Sequence, residues 1–175
     1  DGLNGALWQS DVTLFNPSAT QPMTVSLAFA DARQPLADPS QLVYFPIVVD
    51  RQRSVRFVNV LTGYPFYASK GSFGALFLRV ADAAQAPVVT ARTYNTGDGN
   101  GTYGLAVPAL PVTSGISASS PRAARTLLGL KENAAAYTNL AVVNLGGDPA
   151  VANVTLMDQG GSPLGVPVRF ALGGS

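Results

Sequence analysis

The side chains that could do chemistry are few, and what is missing narrows the choice most. The 175 residues include no histidine and no cysteine. Ser-His-Asp and Cys-His nucleophilic arrangements are therefore absent, and so are imidazole and thiolate zinc sites. No metal or cofactor is expected. A pair of carboxylates could serve a glycosidase. Asp11, Asp31, Asp38, Asp50, Asp82 and Asp98 are available, with Glu132 as the sole glutamate. None sits in a distinctive motif, and most flank turns, where aspartate bonds to backbone. The glycine-rich stretch Gly97-Asp-Gly-Asn-Gly101 lacks the lysine of a phosphate loop and reads as a hairpin turn. Its minority reading is a calcium site using Asp98 and Asn100, but no acidic cluster supplies the remaining oxygens. The expectation is a protein that is not an enzyme.

Two surface features remain. Residues 62–72, TGYPFYASKGS, place Tyr64, Phe66 and Tyr67 in one loop. Loop aromatics can stack on sugar rings or anchor a protein interface; otherwise they cap one end of a β-sandwich. Arg51, Arg53 and Arg56 form a short basic stretch, read as a solvated strand edge that discourages sheet-to-sheet pairing. Asn100-Gly-Thr102 and Asn153-Val-Thr155 match the glycosylation triplet, which is common by chance.

The elements that position these residues are strands, because apolar residues recur with period two. Trp8, Ser10, Val12 and Leu14 alternate with Gln9, Asp11 and Thr13, and Trp8 is expected in the core. Asn16-Pro17-Ser18 ends that strand. Met23, Val25, Leu27 and Phe29 mark the next. Leu42 to Val49 is apolar but carries Pro46, which implies a bulge or an edge. Further strands are expected at Val55–Phe57, Leu76–Val80, Val88–Tyr94 and Thr102–Val107, the last two as a hairpin. About seven short strands with frequent turns predict an antiparallel β-sandwich. Residues 111–123, PVTSGISASSPRA, read as a linker, and 126–136 are ambiguous between helix and loop. Strands follow at Asn139–Asn144, Val151–Met157 and Val166–Leu172.

The chain also repeats itself. Residues 10–36, SDVTLFNPSATQPMTVSLAFADARQPL, resemble 138–164, TNLAVVNLGGDPAVANVTLMDQGGSPL. Asn16 matches Asn144 and Pro35-Leu36 matches Pro163-Leu164, each 128 residues apart. Val25-Ser26-Leu27 matches Val154-Thr155-Leu156 one residue out of step. The first copy runs on to about residue 110, whereas the second is expected to break off. The expected organisation is a β-sandwich unit over 1–110, a linker over 111–123 and a partial second repeat over 124–175.

Composition agrees with a folded, sparsely charged protein: 47% apolar, 12% charged and a net charge of +1. No basic run favours nucleic acid, and no apolar stretch is long enough for a membrane span. Such low charge fits either an apolar surface that something covers or a secreted protein poor in lysine.

Trp8-x-Ser-Asp-Val-x-Leu-Phe-Asn-Pro17, Gly74-Ala-Leu-x-Leu-x-Val80, Ala91-Arg-Thr-Tyr-Asn95 and Gly101-Thr-Tyr-Gly104 together resemble tandem β-sandwich modules of large secreted or surface-attached bacterial proteins. Leu128-Gly-Leu-x-x-Asn133 with Thr138-Asn-Leu-x-Val-Val-Asn144 fits the same pattern. The resemblance implies an immunoglobulin-like fold, an extracellular or cell-surface location, and a role in spacing, adhesion or assembly. It carries over no active-site residue. An unfinished repeat leaves strand edges and an apolar face open. Strand addition from another subunit would complete it; so would packing onto the first sheet, or the remainder of a longer protein. The expected function is a non-catalytic structural module, in its sharpest form a self-assembling filament or surface-layer subunit, with self-association or another surface protein as partner. The alternative is a carbohydrate-binding or adhesion module using Tyr64, Phe66 and Tyr67 on a glycan.

Overall fold

The computed structural model describes residues 7–34, 41–96, 103–117, 119, 124–130, 138 and 140–173. Among them the chain is all-β, with antiparallel sheets and only short 3₁₀ turns at Ala83–Gln85 and Val112–Ser114. It divides into two compact units: residues 1–34 with 42–110, and residues 35–41 with 111–175.

The first unit has seven strands: β1 (Trp8–Phe15), β2 (Met23–Asp31), β3 (Phe45–Val49), β4 (Ser54–Phe57), β5 (Gly74–Val80), β6 (Val88–Asn95) and β7 (Tyr103–Val107). One sheet has the order β4-β1-β6-β7 and the other β3-β2-β5. Period-two alternation gives each strand one apolar face, and the core gathers those faces from both sheets. Val12 and Leu14 of β1 meet Met23, Val25 and Leu27 of β2 and Ile47 and Val49 of β3, joined by Val60. Leu76, Leu78 and Val80 pack against this cluster from β5, with Val89 and Ala91 from β6. Pro46 pairs with Ser26 on β3, an edge strand, where a missing N–H leaves no central ladder broken. The β6–β7 pairing joins Asn95 to Tyr103 and Ala91 to Val107, as a hairpin requires. Its connecting loop, with Asp98 and Asn100, lies outside the described residues.

Gly74 and Gly104 admit no side chain without a shift. A Cβ on Gly74 would lie 1.8 Å from the Ala30 carbonyl oxygen, and one on Gly104 would lie 2.2 Å from that of Thr93. Both glycines sit at strand ends where two backbones approach closely.

Trp8 departs from expectation. It is 40% exposed, while Val12 and Leu14 on the same strand are buried. The core sits under the middle and far end of β1, and Trp8 begins the strand opposite Asn95, beyond that layer.

In the second unit, β8 (Ala150–Val154) and β9 (Val168–Leu172) form a two-stranded antiparallel sheet. Both are shorter than their periodicity suggests. Residues 140–144, expected as a strand, pair with nothing among the described residues. The reason lies in the ladder. β1, which 140–144 resemble, is held between β4 and β6, and the described part of the second unit has no strand in either place. A strand is defined by its neighbours, and alternation alone does not make one. No described residue from 111 to 173 is buried; Leu128 is 88% exposed and Val166 90%. Residues 126–130 form neither helix nor strand, and 131–136 lie outside the described residues.

Candidate functional site

The structure separates the three loop aromatics. Gly63 starts a tight loop: its carbonyl accepts from the N–H groups of Phe66 and Tyr67 at 3.0 Å each, and Ala68 N–H donates to Leu61 O at 2.7 Å. This folds Phe66 inward. Its ring lies 5.9 Å from Phe29 and 5.9 Å from Phe45, against the core cluster. Tyr64 and Tyr67 point outward, 57% and 70% exposed. Their rings meet edge to face, 6.5 Å apart at 73°. Tyr67 holds a left-handed φ of +46°, uncommon for a bulky residue and a conformation that costs energy. Tyr64 and Tyr67 thus form an exposed aromatic pair, while Phe66 between them in sequence packs against the core.

A polar clasp secures the loop's far end. Arg33 pairs with Asp31 through two nitrogens, and its Nη2 also donates to Ser69 Oγ at 3.0 Å and Ser72 Oγ at 2.6 Å. Above all the Arg33 hydrogen bonds hold the Asp31 carboxyl down at about 2, against an ordinary 3.8. A carboxylate lowered by folding contributes stability above its unfolded pKa and loses it as pH falls through the folded value. We therefore expect stability of the first unit to decline between pH of about 4 and about 2. Urea midpoints measured across that range should show it, and Asp31→Asn should flatten that part of the profile.

A second polar cluster escaped sequence reasoning. Asp11 sits in the middle of β1 and is buried, not at a turn. One oxygen accepts from Arg56 Nη2 at 2.7 Å; the other accepts from Asn59 N–H at 2.9 Å and Tyr94 Oη–H at 3.2 Å. Burial pushes its pKa up, but Arg56, Asn59 and Tyr94 outweigh burial and leave it below the ordinary value. Arg56 lies on edge strand β4, so the basic stretch is partly paired rather than only solvated. The Arg92 guanidinium stacks over Tyr94, 4.8 Å from the ring centroid. Asp11, Thr13, Arg56, Thr90, Arg92 and Leu105 line a shallow groove of about 380 Å³ on this sheet. Asp11 is ill suited to acid–base work near neutrality, because both oxygens are committed to donors and its proton is lost well below pH 7. The alternation of β1 could have revealed it: an aspartate between Ser10 and Val12 falls within a strand.

Other aspartates do cap turns. Asp82 Oδ1 accepts from Ala84 N–H at 2.9 Å, and Asp31 Oδ1 from Arg33 N–H at 3.0 Å. No group of three or more metal-ligating side chains occurs among the described residues. Nor does any helix there have the length and apolarity to cross a membrane.

The two units share a pattern of side-chain bonds. Asn16 Oδ1 accepts from Ser18 N–H at 2.9 Å, and its Nδ2 donates to the carbonyls of Gln21 and Val49 at 2.9 and 3.0 Å. Asn144 does the same with Gly146 N–H at 3.0 Å and the carbonyls of Asp148 and Gly173 at 2.8 and 3.1 Å. Asp31 and Asp158 each accept from the N–H two residues on, and the carbonyl of each accepts from the N–H three residues on. These bonds set Gln21 against Asp148 and Asp31 against Asp158, both 127 residues apart.

No family model, curated protein or solved structure matches the chain.

Proposed function

We propose that this protein is a non-catalytic extracellular structural module that self-assembles, with open strand edges of its second unit pairing with strands of another subunit. One observation carries the reading. β8 and β9 pair antiparallel beside asparagine and aspartate caps like those at β2 and β3, yet no described residue of 111–173 is buried. A two-stranded sheet with no buried residue exposes strand edges and an apolar face, which strand addition covers. Contact between two different surfaces of identical subunits propagates into a filament unless its rotation closes a ring. The four-and-three division of strands in the first unit supports the likeness to immunoglobulin-like modules. The order within the sheets is this chain's own. In the immunoglobulin constant domain the first, second, fifth and fourth strands share a sheet. What the resemblance contributes is therefore layered architecture, location and role.

The test is the mass of the untagged protein across a concentration series, with the same samples imaged. Regular polymers growing with concentration are the expected result. A monomer at every concentration would remove the assembly reading.

The exposed Tyr64–Tyr67 pair favours a second reading, adhesion to a glycan or to another surface protein. Under it, Tyr64→Ala with Tyr67→Ala abolishes binding on a glycan array and leaves the melting temperature within about 2 °C. Phe66→Ala instead costs about 2 kcal/mol, because its ring packs on Phe29 and Phe45. A double tyrosine variant that unfolds would return both rings to a structural role.

A further inference from the structure

We infer that the cleft between the β1–β2 loop and the β3–β4 turn binds an acidic glycan, one that carries isolated carboxylates among free hydroxyls. The cleft has a volume of about 700 Å³ and is lined by Thr20, Pro22, Asp50, Arg51, Gln52 and Arg53, all in the first unit. It shares no residue with the Tyr64–Tyr67 pair and requires no assembly. Its two walls are tied together and to the core. Asn16 N–H donates to Arg53 O at 3.0 Å, and Gln52 N–H donates to Ser18 O at 3.1 Å. The buried Asn16 amide bonds to the Gln21 and Val49 carbonyls, one on each wall. Arg53 N–H donates to Asp50 O at 3.1 Å and closes the turn. Inside that turn Gln52 holds a left-handed φ of +53°, a conformation that costs energy and persists where the surroundings impose it. The cleft is therefore shaped before a ligand arrives, which lowers the ordering cost of binding.

The guanidinium groups set this cleft apart. Arg33 and Arg56 have carboxylate partners, whereas Arg51 and Arg53, both exposed, have no side-chain hydrogen bond or ion pair among the described residues. Two planar donor forks with nothing to donate to match an oxyanion, above all a carboxylate. The rest of the lining selects among anions. Asp50 places a negative charge beside the arginines, which repels a ligand charged on every unit and accepts from sugar hydroxyls. Thr20 and Gln52 offer neutral hydrogen-bonding groups, and Pro22 an apolar ring for the C–H face of a sugar. No aromatic side chain lines the cleft among the described residues, so it offers no platform for stacked bases. An anionic membrane surface is held by clusters of about four to eight basic residues, more than the cleft supplies.

Calorimetric titration of the full-length untagged chain tests this with defined probes. They are a hyaluronan hexasaccharide, whose carboxylates alternate with neutral sugars, its methyl ester, a heparin hexasaccharide, and an acidic peptide of the same charge as the first. The hyaluronan probe is expected to bind and to lose affinity as salt rises. Arg51→Gln with Arg53→Gln is expected to weaken that binding about tenfold or more, with melting temperature and sedimentation unchanged. Esterification of the probe should do the same. Asp50→Asn is expected to shift preference toward heparin. Absence of hyaluronan binding, or binding that the double variant retains, overturns the site. Equal binding of the peptide overturns the glycan assignment, and tighter binding of heparin to the wild type overturns the role given to Asp50. If no probe binds and the double variant aggregates, the arginines serve only to keep strand edges apart, and the inference falls.

Discussion

Leu27→Ala is expected to destabilise the first unit by about 3–4 kcal/mol. Leu27 lies at the centre of β2, paired with Phe45 on one side and Leu78 on the other, and is fully buried. Alanine removes three carbons from a site enclosed by two sheets, and strands locked by ladders on both sides cannot close the cavity. For a unit of about 100 residues this lowers the melting temperature by roughly 15–25 °C. Trp8, the single tryptophan, belongs to the first unit, so its fluorescence reports that unit. In the second unit Val154 of β8 is only half-buried, so Val154→Ala in the free chain is expected to cost about 0.5 kcal/mol. The same change in an assembled sample should cost more, because completion of the sheet would bury it. Equal costs in the two states would argue against coverage of β8.

Asn16→Ala carries the second large effect, about 3 kcal/mol. The Asn16 side chain is wholly buried and makes three hydrogen bonds to backbone. Its loss leaves the Ser18 N–H and the Gln21 and Val49 carbonyls without that partner where water has poor access. Asn16→Asp should cost at least as much. It keeps the acceptor for Ser18 but turns a carboxylate oxygen toward two carbonyls. Asn144 makes the same three kinds of bond in an exposed setting, so water can replace them and Asn144→Ala should cost well under about 1 kcal/mol. Urea titrations of the three variants check this, with Trp8 reporting the first unit and β9 hydrogen exchange the second. Similar losses at Asn16 and Asn144 would mean that the second unit is already a closed core.

Much of the fold was legible in the chain because strand signals are local. Alternation located β1, β2, β5 and β6 closely, Pro46 marked an edge, and the repeat pointed to Asn16 and Asn144 as equivalent positions. The absence of histidine and cysteine settled which catalytic chemistries were unavailable before any coordinate was known.

Partnership was not legible, since it depends on residues distant in sequence. Trp8 and Leu14 share a strand, yet only the placement of the opposite sheet decides which is buried. Tyr64, Phe66 and Tyr67 read alike as loop aromatics; the turn at Gly63 sends Phe66 to Phe29 and Phe45 and leaves the tyrosines outside. Asp11 became a buried, three-donor carboxylate only when β4 and β6 brought Arg56 and Tyr94 alongside it. Residues 140–144 have the pattern of β1 but no described partner strands, and so form no strand. Residue type and period are properties of a segment, whereas burial, pairing and register belong to the neighbours that tertiary structure supplies.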